Sequence, residues 1–147
     1  MSEAGAGAYT GLLERSFAAF NSGDADALLP LYTEDCVWDV SRFRRGFGAG
    51  LAQVYRGHEG LRSFLAEFQA IIAPWGGASA EFDRVVELED GRFWIEGDVR
   101  FGSPEGNAEL FDRWFQLLRV RGDRIAEVVI YWDLAEATRG AGLESPP

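Results

Sequence analysis

One cysteine and one histidine in 147 residues leave little room for several kinds of chemistry. Cys36 alone can close no intrachain disulfide. Without a cysteine pair, and with His58 as the sole imidazole, a tetrahedral zinc site lacks its ligands. Positive charge is also scarce. Fourteen basic residues stand against 24 acidic ones, a formal net charge of −10. That balance argues against binding to nucleic acid, which needs basic patches to displace its counterions, and opposes docking to anionic membranes. No apolar run approaches the roughly 20 residues of a bilayer-spanning helix. Met1 to Ala8 has no basic-then-apolar leader pattern. A Gly-rich phosphate loop, a Gly-x-Ser-x-Gly elbow and a His-Glu-x-x-His pair are all missing, which disfavours nucleotide hydrolysis, serine hydrolysis and zinc proteolysis. The expectation is a soluble, cytoplasmic protein that works without a cofactor.

Aromatic residues, by contrast, are plentiful, at 14% with 11 Phe and 5 Trp. Such rings can fill a core or wall a cavity. The length suits a single domain over residues 1–147, with 1–8 and 140–147 as flexible tails. Leu12, Leu13, Ser16, Phe17 and Phe20 recur at helical spacing, and Gly23 suits the left-handed position after the helix. Asp24 can cap a second, short helix that Pro30 limits. Cys36 to Val40 reads as a strand, and Ser41 to Arg56, rich in Arg and Gly, as a long loop. A third helix carries Leu61, Phe64, Leu65, Phe68, Ile71 and Ile72 on one face, and Pro74 with Gly76-Gly77 ends it. Strands follow at 79–88, 92–101, 108–120 and 124–132, with tight turns at Asp90-Gly91 and Gly122-Asp123. Asp133 to Glu136 has the spacing that caps a final helical turn. The fold class is therefore α+β, with three N-terminal helices packed on a curved, mostly antiparallel sheet.

Three strings, in this order and spacing, carry a resemblance. Phe20 to Asp24 with Leu31 to Asp35 resembles the opening of SnoaL-like proteins in the NTF2-like superfamily. Tyr55 to Leu61 is similar to their entry into the third helix. Ile125 to Ala137, with Tyr131-Trp132-Asp133 inside it, is similar to their last strand and closing turn. The resemblance covers residues 9–143 and implies a cone enclosing a pocket, often in a homodimer that buries the outer sheet face. It also implies a choice among many activities, including ketosteroid isomerases, polyketide cyclases and limonene epoxide hydrolase-like enzymes, so fold alone does not select one. Where many relatives have a short proline-containing stretch before the Tyr-Arg-Gly-His string, this chain has a longer one rich in Arg and Gly.

Several residues could carry chemistry in such a pocket. Asp39 follows Trp38 at a strand end, where burial would raise its pKa and suit it to proton transfer, or where it could simply close a turn. His58 titrates near neutrality without help, so it could act as a base or pack at the start of the third helix. Asp112 and Gln116 share one strand face with Trp114 and, together with Tyr131, could orient a carbonyl; cross-strand pairing is the alternative. Glu96 and Asp98 alternate on one strand as a shared-proton pair or a solvated face. Trp38, Trp94, Trp114 and Phe68 could pack a ligand. Arg45, in the Arg42–Arg45 cluster, could hold an anion or meet a dimer partner. Two functions follow: proton-transfer chemistry on a small hydrophobic molecule without a metal or cofactor, or a non-catalytic binding or dimerisation module.

Overall fold

The computed structural model of the protein describes residues 7–42, 53–102 and 110–147. Helix α1 (Thr10–Ser22) buries Leu12, Leu13, Ser16 and Ala19 on the face that the apolar spacing marks. Gly23 ends it at φ 69°, its N–H reaching the carbonyls of Ala19 and Phe20. Asp24 then caps helix α2 (Ala25–Leu28) by accepting from the Ala27 N–H at 3.1 Å. Pro30 sits in a following 3-10 turn, Leu29–Leu31, and the chain enters β1 (Tyr32–Asp39).

Strand β1 starts four residues before the expected Cys36, and the segment read as loop contains a further strand, β2 (Val54–Arg56). Both corrections have one cause. Tyr32 pairs with Ile125, and Tyr55 with Trp38, so the hydrogen bonds that define these residues as strand come from distant chain segments. Helix α3 (Gly57–Ile72) follows, burying Leu61, Phe64, Leu65, Phe68 and Ile72. Strands β3 (Ala78–Glu87), β4 (Phe93–Phe101), β5 (Leu110–Arg121) and β6 (Arg124–Tyr131) form an antiparallel meander. Asp133 caps the last helix, α4 (Leu134–Gly140), accepting from the Glu136 N–H at 2.9 Å.

The six strands make one curved, open sheet in the order β2-β1-β6-β5-β4-β3. Strand β1 runs parallel to β6, and all other neighbours are antiparallel. Helices α1 and α3 pack on the inner face with Trp38, Ile95, Val99, Trp114, Val128 and Ile130. Among the described residues there are four α-helices, not three at the N-terminus alone, and α4 lies on the opposite face. That outer face buries Trp94, Phe115, Leu117 and Tyr131 against Ala137 and Ala141. Arg92 secures the end of α4 by donating to the carbonyls of Gly140 and Ala141 at 3.0 and 3.1 Å.

Beyond α4 the outer face is ionic. Arg113 donates to Asp83 at 2.6 and 2.8 Å, to Glu96 at 3.1 Å and to Asp98 at 3.3 Å. Glu96 also accepts from Arg84 at 2.7 Å and from the Trp94 indole at 2.9 Å. Glu96 and Asp98 thus meet cations instead of sharing a proton. Hydrogen bonding from Arg113 lowers the Asp83 pKa. Burial pushes the Glu96 pKa up, but its bonds from Trp94, Arg84 and Arg113 together outweigh that and leave it lowered.

Gly97 is the tightest point of the sheet. A Cβ there would stand 2.0 Å from the Glu81 carbonyl oxygen and 2.5 Å from Trp114 Cζ2. The first contact is backbone and cannot swing aside, so β3 and β4 approach as they do only because this residue has no side chain.

Two outcomes are expected. Gly97→Ala should destabilise the fold by about 2–3 kcal/mol, a fall in Tm of roughly 5–10 °C, because the sheet must shift to admit the methyl group. Thermal unfolding followed by circular dichroism checks this, and an unchanged Tm would refute the close approach. Asp83 and Glu96, with lowered folded pKa values, bind fewer protons folded than unfolded. Their contribution is complete above the ordinary carboxylate range, about pH 4, and is lost as pH falls below it. Urea midpoints measured from neutrality down to about pH 3 should show that acid limb, and Arg113→Ala should make it shallower.

Candidate functional site

Between α1, α3 and the inner sheet face lies a cavity of about 60 Å³. Its walls come from α1, α3 and the inner face of the sheet. Helix α1 contributes Leu13, Ser16, Phe17 and Phe20, and α3 contributes Phe64 and Phe68. Strand β1 contributes Tyr32 and Trp38, and β5 contributes Trp114, Gln116 and Leu118. Ile125 and Ile130 of β6, and Trp132 just beyond it, complete the far side.

The rings hold one another in place. Phe17 stacks on Trp114 with centroids 5.5 Å apart and planes 13° from parallel. Phe20 sits 6.0 Å from Trp38 and 5.4 Å from Phe68, and Trp38 lies 4.8 Å from Phe64. Such pairs add about 0.5–1.5 kcal/mol beyond their buried area. The indole N–H groups of Trp38 and Trp114 are buried without a hydrogen bond among the described residues, so packing and not polar contact fixes these rings.

The polar groups on the wall are few and uncharged. The hydroxyls of Ser16 and Tyr32 lie 3.0 Å apart, and both residues are buried. Burial pushes the Tyr32 pKa far above that of an ordinary phenol, against a smaller lowering by the bond with Ser16, so the hydroxyl stays protonated. Gln116 faces the cavity from the central strand β5 and makes no hydrogen bond to a described residue. Among the described residues, no charged side chain lines the space. The arrangement can surround an apolar molecule and meet an oxygen or nitrogen on it with neutral hydrogen-bonding groups.

Of the residues expected to bind a ligand, Trp38, Trp114, Gln116 and Phe68 converge on this cavity. Trp94 is on the outer face, bonded to Glu96. Arg45 lies outside the described residues. Of those expected to act in catalysis, Asp112 shares the cavity face. It pairs directly with Val99, a lining residue, and its carboxylate accepts from the Arg113 N–H at 3.0 Å. The other three point elsewhere. Asp39 alternates with Trp38 and so faces outward, where it accepts from the Ser41 N–H at 2.9 Å and pairs with Arg42 at 3.4 Å. Tyr131 is buried on the outer face beneath α4, where a Cβ on Gly140 would come 2.2 Å from its hydroxyl, and Arg42 sits 5.1 Å above its ring. His58 Nε2 bonds the Tyr32 carbonyl at 3.0 Å, tying the start of α3 to β1.

Sequence reasoning passed over Ser16, Tyr32 and Trp132 as site residues. Ser16 did carry a signal, because it was the one hydroxyl in the apolar stripe of α1. Tyr32 carried none, since its inward direction follows from a strand start that only pairing with β6 reveals.

Among solved structures, TerC co-crystallised with polyporic acid is similar with a TM-score of 0.67 and 20% identity, over 89% of this chain and 95% of that one. A protein of ketosteroid isomerase-like fold from Catenulispora acidiphila DSM 44928, in complex with trimethylamine, is similar at 0.64 and 18% identity, over 90% and 92% of the two chains. A protein provisionally named polyketide cyclase from Xanthomonas campestris pv. campestris scores 0.58 at 24% identity, over 90% and 96%. At these identities the likeness is one of fold. Among curated proteins, none matches. The SnoaL-like domain matches residues 13–128, a span that runs from α1 into β6 and takes in most of the cavity wall, and the chain belongs to that family.

Proposed function

We propose that this protein binds a small, largely apolar, uncharged molecule in the cavity between α1, α3 and the inner sheet face. The observation that carries this reading is the make-up of the wall: aromatic rings from α1, α3, β1 and β5 around a few neutral hydrogen-bonding groups. That combination is typical of small-molecule sites. The co-crystallised TerC and the trimethylamine complex lend support, since proteins of this fold have been found with small organic molecules. At about 60 Å³ the space is smaller than the ~150 Å³ hollow that admits benzene in an engineered protein core. A ring-sized ligand therefore has to displace a wall, and the Phe17–Trp114 stack across α1 and β5 is the one we assign to move.

Acid–base catalysis is a second reading, favoured by one placement. Asp112 is the only one of the candidate acids and bases on the cavity face, while Tyr32 takes the oxygen-polarising place foreseen for Tyr131. In that reading Asp112 removes a proton from carbon beside a carbonyl, and the protonated Tyr32 hydroxyl stabilises the oxygen that gains charge.

Cyclohexanone titrated into protein with 15N-labelled tryptophan should shift the indole signals of Trp38, Trp114 and Trp132, and leave Trp75 and Trp94 in place. Val99→Phe should fill the cavity and abolish those shifts, while Phe17→Ala should strengthen binding several-fold at a cost of about 2–3 kcal/mol in stability. Shifts confined to Trp75 or Trp94 would overturn the site. For the second reading, protein-catalysed loss of deuterium from 2,2,6,6-tetradeuterocyclohexanone, followed by NMR, should vanish in Asp112→Asn. Equal rates in the two proteins would leave binding as the function.

A further inference from the structure

We infer that the Ser16–Tyr32 hydroxyl pair is the polar anchor of the cavity and that it selects an uncharged ligand bearing an acceptor oxygen, a ketone or an ester over a hydrocarbon, a carboxylate or an amine. The inference rests on the small-molecule reading above and adds the class of ligand and the residues that choose it.

The argument starts from proton counting. Two hydroxyls carry two hydrogens, and the 3.0 Å bond between Ser16 and Tyr32 uses one of them. Whichever oxygen donates, the other keeps an O–H with no partner among the described residues. Both residues line the cavity, so the unused hydrogen is available to what enters it. Burial makes this matter. Ser16 is 6% exposed and Tyr32 2%, and a buried hydroxyl left without an acceptor costs more than a hydrogen bond returns. A ligand oxygen relieves that cost and a hydrocarbon does not.

The position is also fixed in advance. Ser16 is in the middle of α1 and Tyr32 opens β1, so two rigid elements hold the two oxygens. The His58 bond to the Tyr32 carbonyl ties the same residue to α3. Gln116 offers a second polar contact from β5, but on a long side chain that no hydrogen bond from a described residue orients. We therefore place the selecting contact on the pair. Charged ligands are rejected for a simpler reason. Among the described residues no ionised side chain lines the cavity to compensate them, and an unpaired buried charge is far more costly than an unpaired hydroxyl.

The test is a matched set of probes on one ring: cyclohexanone, cyclohexanol, cyclohexane, cyclohexanecarboxylate and cyclohexylammonium. Each is titrated against the indole signals of Trp38, Trp114 and Trp132. The expected result is binding of the ketone about tenfold tighter than of cyclohexane, the worth of one neutral hydrogen bond, with the two ions producing no shift. The double variant Ser16→Ala/Tyr32→Phe should bring ketone and hydrocarbon within about twofold. Gln116→Leu should keep most of the preference. If no probe moves those signals, the binding function itself falls. If cyclohexane binds as well as the ketone, if an ion binds better, or if the preference survives the double variant, binding stands and the assignment of the pair is overturned. Should the double variant fail to fold, the ketone-to-hydrocarbon ratio of the unaltered protein and the Gln116→Leu ratio decide the matter.

Discussion

The parallel pairing of β1 with β6 joins the first strand of the chain to the last, with Trp38 opposite Val128 and Tyr32 opposite Ile125. Without it the meander β3 to β6 would have a free edge where one wall of the cavity now stands. With it, Tyr32 and Trp38 face the same space as Trp114 and Gln116, and α1 and α3 have a surface broad enough to close over. The pairing is also what turns the outward residues of β1 away from that space, Asp39 among them.

Around this seam the two faces of the sheet follow different rules. The inner face is held by ring against ring, in a layer from Phe17 through Phe20 to Phe64 and Phe68, and the cavity is the part of that layer the rings leave unfilled. The outer face is held at one end by α4 over Trp94, Phe115 and Tyr131, and at the other by arginines among carboxylates. Packing of rigid rings sets a shape but tolerates an unfilled space. Ion pairs on an exposed face tolerate water. The chain separates the two, so the groups with the strongest charge interactions are kept from the space where a ligand would sit.

That separation bears on what the site can do. A wall of neutral groups with a protonated Tyr32 can bind and polarise, since an O–H in an apolar space is a strong donor when an acceptor arrives. Moving a proton needs a base as well, and the catalytic reading proposed above gives that part to Asp112, which shares the cavity face of β5. Binding and catalysis here differ by one side chain's reach, and the fold is common to both.

Much of the architecture was legible in the sequence because it depends on near neighbours along the chain. Spacing of three and four residues marked α1 and α3, Gly23 and Asp24 marked a stop and a start, and Asp90-Gly91 and Gly122-Asp123 marked the hairpin turns. Alternation also showed that Asp112, Trp114 and Gln116 share a face. Which face turned inward was not legible, because both faces of β5 and β6 mix rings with polar groups and either could meet the helices. Tertiary pairing decided it: Trp132 and Ile130 went in and Tyr131 went out. Strand β2 and the early start of β1 were hidden for the same reason, as three residues around Tyr55 and the start at Tyr32 become strand only through partners far along the chain. Local propensity and periodicity can be read from one segment at a time, whereas a cavity is a relation among segments and exists only once they are packed.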